Sequence, residues 1–206
     1  MKKRKRLYIL SGLVMFLCMG TIYSWSVFRG PLIKELELIS GEHIGATLAQ
    51  MPYTLFLLMY SFTMPFSGKL IKKIDPRILC ISGSLLVALG WILAGSSTSI
   101  YQIMWTYGVL GGLGVGIVYG VPIAIVTEWF PHRKGLAVGI TLMGFGISPL
   151  ISAPIANALI NKSGVFQAFK DMGFAFALVL GLLSLLFQFP KEKIEQYKNH
   201  GPYTDG

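Results

Sequence analysis

An all-α membrane protein of six transmembrane helices, arranged as two inverted copies of a three-helix unit, is the fold class this sequence predicts. Three observations carry that expectation. Only 13% of the 206 residues are charged while 53% are hydrophobic, against about 25% charged in an ordinary soluble domain. The charges are excluded from long windows: 7–28, 44–68, 78–127, 135–161 and 172–190 hold no Asp, Glu, Lys or Arg. Short motifs of the first two windows recur, in the same order, in the third and fourth. Spanning the hydrocarbon takes about 20 apolar residues, and backbone groups in lipid must bond within their own segment, which selects helices.

Helix 1 fills the first window. Its basic start resembles a signal peptide, but 22 apolar residues are too many for one. Tyr23 and Trp25 also stand where a cleavage site needs small residues. Residues 29–43 read as an outer loop, and helix 2 occupies 44–68. The window 78–127 breaks at Ser96-Ser97-Thr98-Ser99 and holds helices 3 and 4. Helices 5 and 6 follow in 135–161 and 172–190. Residues 1–190 thus form the membrane unit and 191–206 a cytoplasmic tail. With the N-terminus inside, 14 of the 18 Lys and Arg fall on the cytoplasmic side, leaving Arg29, Lys34, Lys162 and Lys170 outside. That bias sets both termini in the cytoplasm. It also accounts for the net charge of +9 without nucleic acid as a partner.

Helix 1 carries Gly20-Thr21-Ile22-Tyr23 and helix 4 carries Gly116-Ile117-Val118-Tyr119. Helix 2 ends PFSGKLIKK (65–73) and helix 5 ends PIANALINK (154–162). Two matches in the same order mark helices 1–3 and 4–6 as copies, and three helices per copy make the copies inverted. Such repeats build carriers that rock about a central site. Gly108, Gly112, Gly116 and Gly120 recur every four positions, as do Gly144, Ser148, Ser152 and Ala156. Small residues at that spacing let helices approach closely. Pro52, Pro65, Pro122, Pro149 and Pro154 lie inside spans, where each frees a backbone carbonyl and permits a bend.

The pair Cys18 and Cys80 reads as core thiols, and no metal-ligand cluster accompanies them. The three histidines lie in loops and tail. No nucleophile, acid pair or phosphate loop suggests an enzyme, and nothing calls for a cofactor. The spans carry no deep charge, so a cationic partner for an anion is absent from the expected site. Phe16, Gly20, Tyr23, Val27 and Gly30 share one helix stripe. Trp25 lies about 200° away, near the outer end, where a Trp ring anchors at the membrane interface.

Three stretches resemble the major facilitator superfamily, and within it the oxalate/formate antiporters and related monocarboxylate transporters. They are Tyr23-x-Trp25-Ser-Val-Phe28, the Gly-rich run ending in Tyr119, and Trp129-Phe130-Pro131 with Arg133-Lys134-Gly135-Leu136-Ala137. The resemblance covers nearly the whole chain and corresponds to the first six helices of a twelve-helix family. It implies an N-terminal carrier half for small organic anions, with a second half missing and alternating access as the mechanism. It makes 191–206 the start of a central cytoplasmic loop and a bacterial plasma membrane the location. Tyr23, Tyr119 and Trp25 become candidate aromatic walls for a small carboxylate.

The loop 68–77 follows the superfamily pattern at Gly68 and Leu70, with Lys73 in the basic position. Lys72 stands where the pattern has an acid, and Asp75-Pro76 where it has Gly-Arg. Glu128 would be neutralised by Arg77, Arg133 or Lys134. The alternative to a carrier half is a self-contained six-helix membrane protein, such as a channel subunit, permease domain or assembly factor.

Overall fold

The computed structural model describes residues 2–71 and 73–190, with side chains from Arg6 onward. All regular structure among them is helical. The helices are α1 (Lys2–Met19), α2 (Trp25–Ser40), α3 (Ala46–Leu70), α4 (Pro76–Ala94), α5 (Ile100–Ile103), α6 (Gly112–Trp129), α7 (Lys134–Ser163) and α8 (Val165–Ser184). A 3₁₀ segment, Gly20–Ser24, joins α1 to α2, and a π-type segment, Met104–Gly111, joins α5 to α6.

Five continuous rods are long and apolar enough to cross a bilayer: Arg6–Ser40, Pro76–Ala94, Ile100–Trp129, Lys134–Ser163 and Val165–Ser184. The chain is a multi-pass membrane protein. Helix α3 is long enough at 25 residues, but Gln50, Tyr53, Thr54, Tyr60, Ser61 and Thr63 make it less apolar than the other five rods.

The expected outer loop 29–43 is a helix for most of its length. The first rod continues to Ser40 because Phe28, Leu32 and Leu36 repeat every four residues and are buried, giving α2 an apolar face to pack. Arg29, Lys34 and Glu35 occupy its other faces. Gly41, at φ 71°, ends α2 with its N–H on the Glu37 carbonyl; a side chain is disfavoured in that left-handed conformation. The Glu37 carboxylate then accepts from the Ile44 N–H at 2.7 Å and pairs with His43 Nδ1 at 2.8 Å. The real loop, 41–45, is short. Helix α8 also starts earlier than expected and includes Lys170 and Asp171.

The helices dock through the small-residue stripes. Helix α1 and the 3₁₀ segment pack on α7; α3 packs on the π segment and α6; α4 packs on α8 and α6. A Cβ on Gly108, Gly112, Gly116 or Gly120 would press on Pro52, Phe56, Thr63 or Ser67 of α3. Opposite them, Ser148 and Ser152 face the first rod: Ser148 Oγ donates to the Leu17 carbonyl at 2.6 Å, and the Ser24 and Ser152 hydroxyls share a buried bond of 2.7 Å. At the α4–α8 crossing the buried hydroxyls of Ser84 and Ser184 lie 3.2 Å apart. Polar side chains here satisfy each other between helices, as lipid requires.

Candidate functional site

The first rod carries Phe16 and Tyr23, α3 carries Tyr53 and Tyr60, α6 carries Tyr119 and α7 carries Phe145. Four of the rings meet on Phe145. Its centroid lies 5.3 Å from Tyr23, 5.7 Å from Tyr119, 6.0 Å from Phe16 and 6.3 Å from Tyr60. Tyr119 also touches Phe16 edge-on at 4.9 Å and Tyr60 at 5.3 Å. The two tyrosines singled out by their motifs therefore come together, although 96 residues of sequence separate them.

The glycine of each motif explains the convergence. A Cβ on Gly20 would sit 2.5 Å from the Phe145 carbonyl oxygen and 2.6 Å from Ser148 Cβ. A Cβ on Gly116 would sit 2.7 Å from Thr63 Cβ and 2.9 Å from the Tyr60 carbonyl oxygen. Each glycine is a notch that admits the backbone of a neighbouring helix. The tyrosine one turn later then lies against that helix's aromatic side chain.

Trp25 takes a different place. It diverges from Tyr23, as the helical geometry predicts, but is 3% exposed and does not anchor at a lipid interface. Its ring stacks on the buried Tyr107 at 5.0 Å and 21°. Tyr107 in turn meets Trp91 and Phe56, so Trp25 belongs to a second aromatic cluster. Its indole Nε1 is buried without a hydrogen-bond partner.

Between the first rod and α3 lies an open cavity of about 310 Å³, lined by Tyr23, Trp25, Ser26, Arg29, Gln50 and Tyr53. Arg29 Nη1 donates to Gln50 Oε1 at 3.3 Å. Arg29 is exposed in the wall of this cavity, just beyond the charge-free part of the first rod. Arg29 reads as a loop residue only when helix 1 is stopped at Phe28. The spacing of Phe28, Leu32 and Leu36 is the signal that extends the helix and brings Arg29 into the wall. Tyr60 and Phe145 carry no motif of their own, and only packing reveals them.

The residues of the two loop motifs are scattered. Gly68 has open space around it, Lys73 is exposed, and Lys72 lies outside the described residues. Asp75 caps α4, accepting the Arg77 N–H at 2.8 Å, with Pro76 at the first helical position. The Arg77 side chain is partly buried, with Nε lacking a partner. Arg133 and Lys134 are exposed and Glu128 half-buried. Among the described residues the ion pair within 4.0 Å is His43–Glu37, at the other end of the molecule from Glu128. The Trp129-Phe130-Pro131 stretch instead ties chain segments together. Trp129 Nε1 donates to the Gln188 carbonyl at 2.9 Å, and Tyr8 stacks on the Trp129 ring at 5.0 Å.

Residues 9–202 match the family model of the Major Facilitator Superfamily. The chain is similar to the oxalate:formate antiporter of Oxalobacter formigenes, 30% identical over 90% of this chain and 43% of that protein. It is also similar to monocarboxylate transporter 13 of Rattus norvegicus, 28% identical over 71% of this chain and 33% of that protein. With apicoplast pyruvate carrier 1 of Toxoplasma gondii it shares 24% identity over 80% of this chain and 37% of the carrier. The chain spans less than half the length of each of these relatives.

Proposed function

The chain belongs to the major facilitator superfamily, and we propose that it is one six-helix half of a carrier for small organic anions, working by alternating access. The observation that carries this reading is the meeting of Tyr23 and Tyr119 at Phe145. Two copies of one motif supply the two tyrosines, each through its own glycine notch. Further register supports an internal repeat. Gly20 and Ser24 meet Phe145, Ser148 and Ser152, while Gly116 and Gly120 meet Tyr60, Thr63 and Ser67. Ser152 then corresponds to Ser67, one helical turn from the pairing with Ala156 that the sequence match suggests. Inverted three-helix repeats place substrate at the midplane between two moving units.

Oxalate, formate and pyruvate appear in the names of relatives, and small carboxylates are the substrate class proposed for this chain. Tyr23 and Tyr119 would wall the site, with Trp25 behind it. An aromatic surface of this kind, half of it open, needs a second half to close it. The proposed orientation has both termini in the cytoplasm of a bacterial inner membrane. Lys72 would lie on the cytoplasmic side, in the place of the superfamily's latching acid.

Proteoliposomes holding residues 1–206 alone should show no saturable uptake of oxalate, formate or lactate. Adding the C-terminal half of a related carrier should restore it, and Tyr119→Ala should then lower uptake more than Trp25→Ala. Saturable uptake by the 206-residue chain alone would overturn the half-carrier reading in favour of a self-contained six-helix protein. For orientation, Ser40→Cys and Ser163→Cys should react with impermeant thiol reagents in intact cells, while Ile74→Cys and His132→Cys should not. Protection of both outer positions would invert the topology.

A further inference from the structure

We propose that the cavity at Arg29 is an outer-mouth binding site for a small carboxylate. It adjoins the aromatic cluster at Phe145, sharing Tyr23 with it, and is reached before it. The inference gives a ligand to the mouth of the proposed carrier; it rests on that reading for its use in transport but not for the binding.

The chemistry of the lining is one-sided. Its six residues are Tyr23, Trp25, Ser26, Arg29, Gln50 and Tyr53. Arg29 is the one charge among them, and among the described residues no carboxylate pairs with it. Three further kinds of polar group on the lining can donate: a serine hydroxyl, two phenols and a carboxamide N–H. The Arg29–Gln50 bond sharpens the site. Because Gln50 Oε1 accepts from Arg29 Nη1, the acceptor of that amide is occupied and its NH₂ remains a donor. The guanidinium has five N–H groups in a fixed fork, and among the described residues one bond and no ion pair engage it. That fork matches the two oxygens of a carboxylate.

Position and size agree. Arg29 stands six residues beyond Tyr23, about 9 Å further along the rod. It is exposed, whereas the Phe145 cluster lies deeper. A cavity of about 310 Å³ takes a ligand of a few heavy atoms with water around it. Tyr23 lines the cavity and also touches Phe145, so it stands between the mouth and the cluster.

A phosphate group on a lipid offers oxygens of similar geometry, so the test separates the two. Phenylglyoxal modifies accessible guanidinium groups, and mass spectrometry reads each arginine by itself. The chain of residues 1–206 in a non-ionic, phosphate-free detergent should lose most Arg29 labelling when oxalate is added. Half-protection is expected at about 1 mM, an affinity suited to an exposed site. Arg133, in an exposed loop, should label equally with and without oxalate. Gln50→Leu should move Arg29 half-protection to a concentration about tenfold higher, the loss of one hydrogen bond to a charged ligand. An unchanged labelling rate of Arg77, whose Nε is buried, would report an intact fold.

Arg29 labelling indifferent to oxalate would overturn the site. Protection by phosphatidylglycerol but not by oxalate would assign it to a lipid headgroup and overturn it too. The carrier reading fails separately. Protection of Arg29 without uptake by paired halves would leave the site standing and remove the carrier. Uptake without protection would do the reverse.

Discussion

The two Gly-x-x-Tyr motifs begin from the same residues and end in different surroundings. Tyr119 rises from the continuous helix α6, and its ring is held by Phe16, Tyr60 and Phe145. Tyr23 sits in the 3₁₀ segment, touches Phe145, and is 45% exposed at the edge of the Arg29 cavity. One copy is half-buried and packed against the core, and the other is the rim of an opening. The difference lies in the next residues. After Tyr119 comes Gly120, which lies against Ser67. After Tyr23 comes Ser24, bonded to Ser152, and then Trp25, drawn away to Tyr107. The two motifs supply two similar notches, and the residues just C-terminal to each notch decide its use.

The largest effect that separates the copies should come from filling the notches. Gly20→Ala is expected to cost about 3 kcal/mol and Gly116→Ala about 2 kcal/mol, the range of overpacking in a tight interior. The order reflects what each Cβ meets: a backbone carbonyl and a Cβ at 2.5 and 2.6 Å for Gly20, with more room at Gly116. Gly30→Ala, with nothing within 4 Å, should leave stability unchanged or slightly raised. Thermal unfolding in detergent reads all three, and equal melting temperatures for the Gly20 and Gly30 variants would remove the notch argument.

The rings come next. Tyr119→Ala should lower stability by about 3 kcal/mol, as truncation of a packed aromatic does, while the half-exposed Tyr23→Ala should cost under about 1 kcal/mol. A reversed order in the same melting series would show that Tyr23, not Tyr119, is the structural copy.

A smaller effect should come from the hydroxyl pair beside Tyr23. Ser24→Ala and Ser152→Ala are each expected to cost about 1 kcal/mol, because each leaves the partner's hydroxyl buried. The double variant should cost less than the two together, with a coupling of about 0.6 kcal/mol. Strict additivity would mean that the 2.7 Å contact contributes nothing. The smallest change is expected far from both copies: Glu128→Gln, without an ion pair among the described residues, should shift stability by under about 0.5 kcal/mol.

Several features are legible in the sequence. Charge-free windows arise from a constraint acting on each segment by itself, the cost of polar groups in lipid, and so they mark the chain as a multi-pass membrane protein. Both small-residue stripes are docking faces, because close helix approach requires small side chains at a four-residue period. Tyr23 and Tyr119 are legible through repetition. Arg29 escapes a sequence reading because charge counting ends a span at the first cation, whereas helix propagation depends on the burial of Phe28, Leu32 and Leu36 on another face.

What the sequence determined by itself was therefore local and periodic: the helical class, the spans, the notches and the family resemblance. Only the tertiary structure decided which notch meets which helix. It gathered Tyr60 and Phe145 with the two tyrosines, buried Trp25 against Tyr107, left Glu128 without a cationic partner among the described residues, and turned Arg29 and Gln50 toward one cavity. The physical reason is range. Transfer into lipid acts residue by residue along one helix, while a site is set by packing between helices far apart in the chain, where a shift of one turn changes every neighbour.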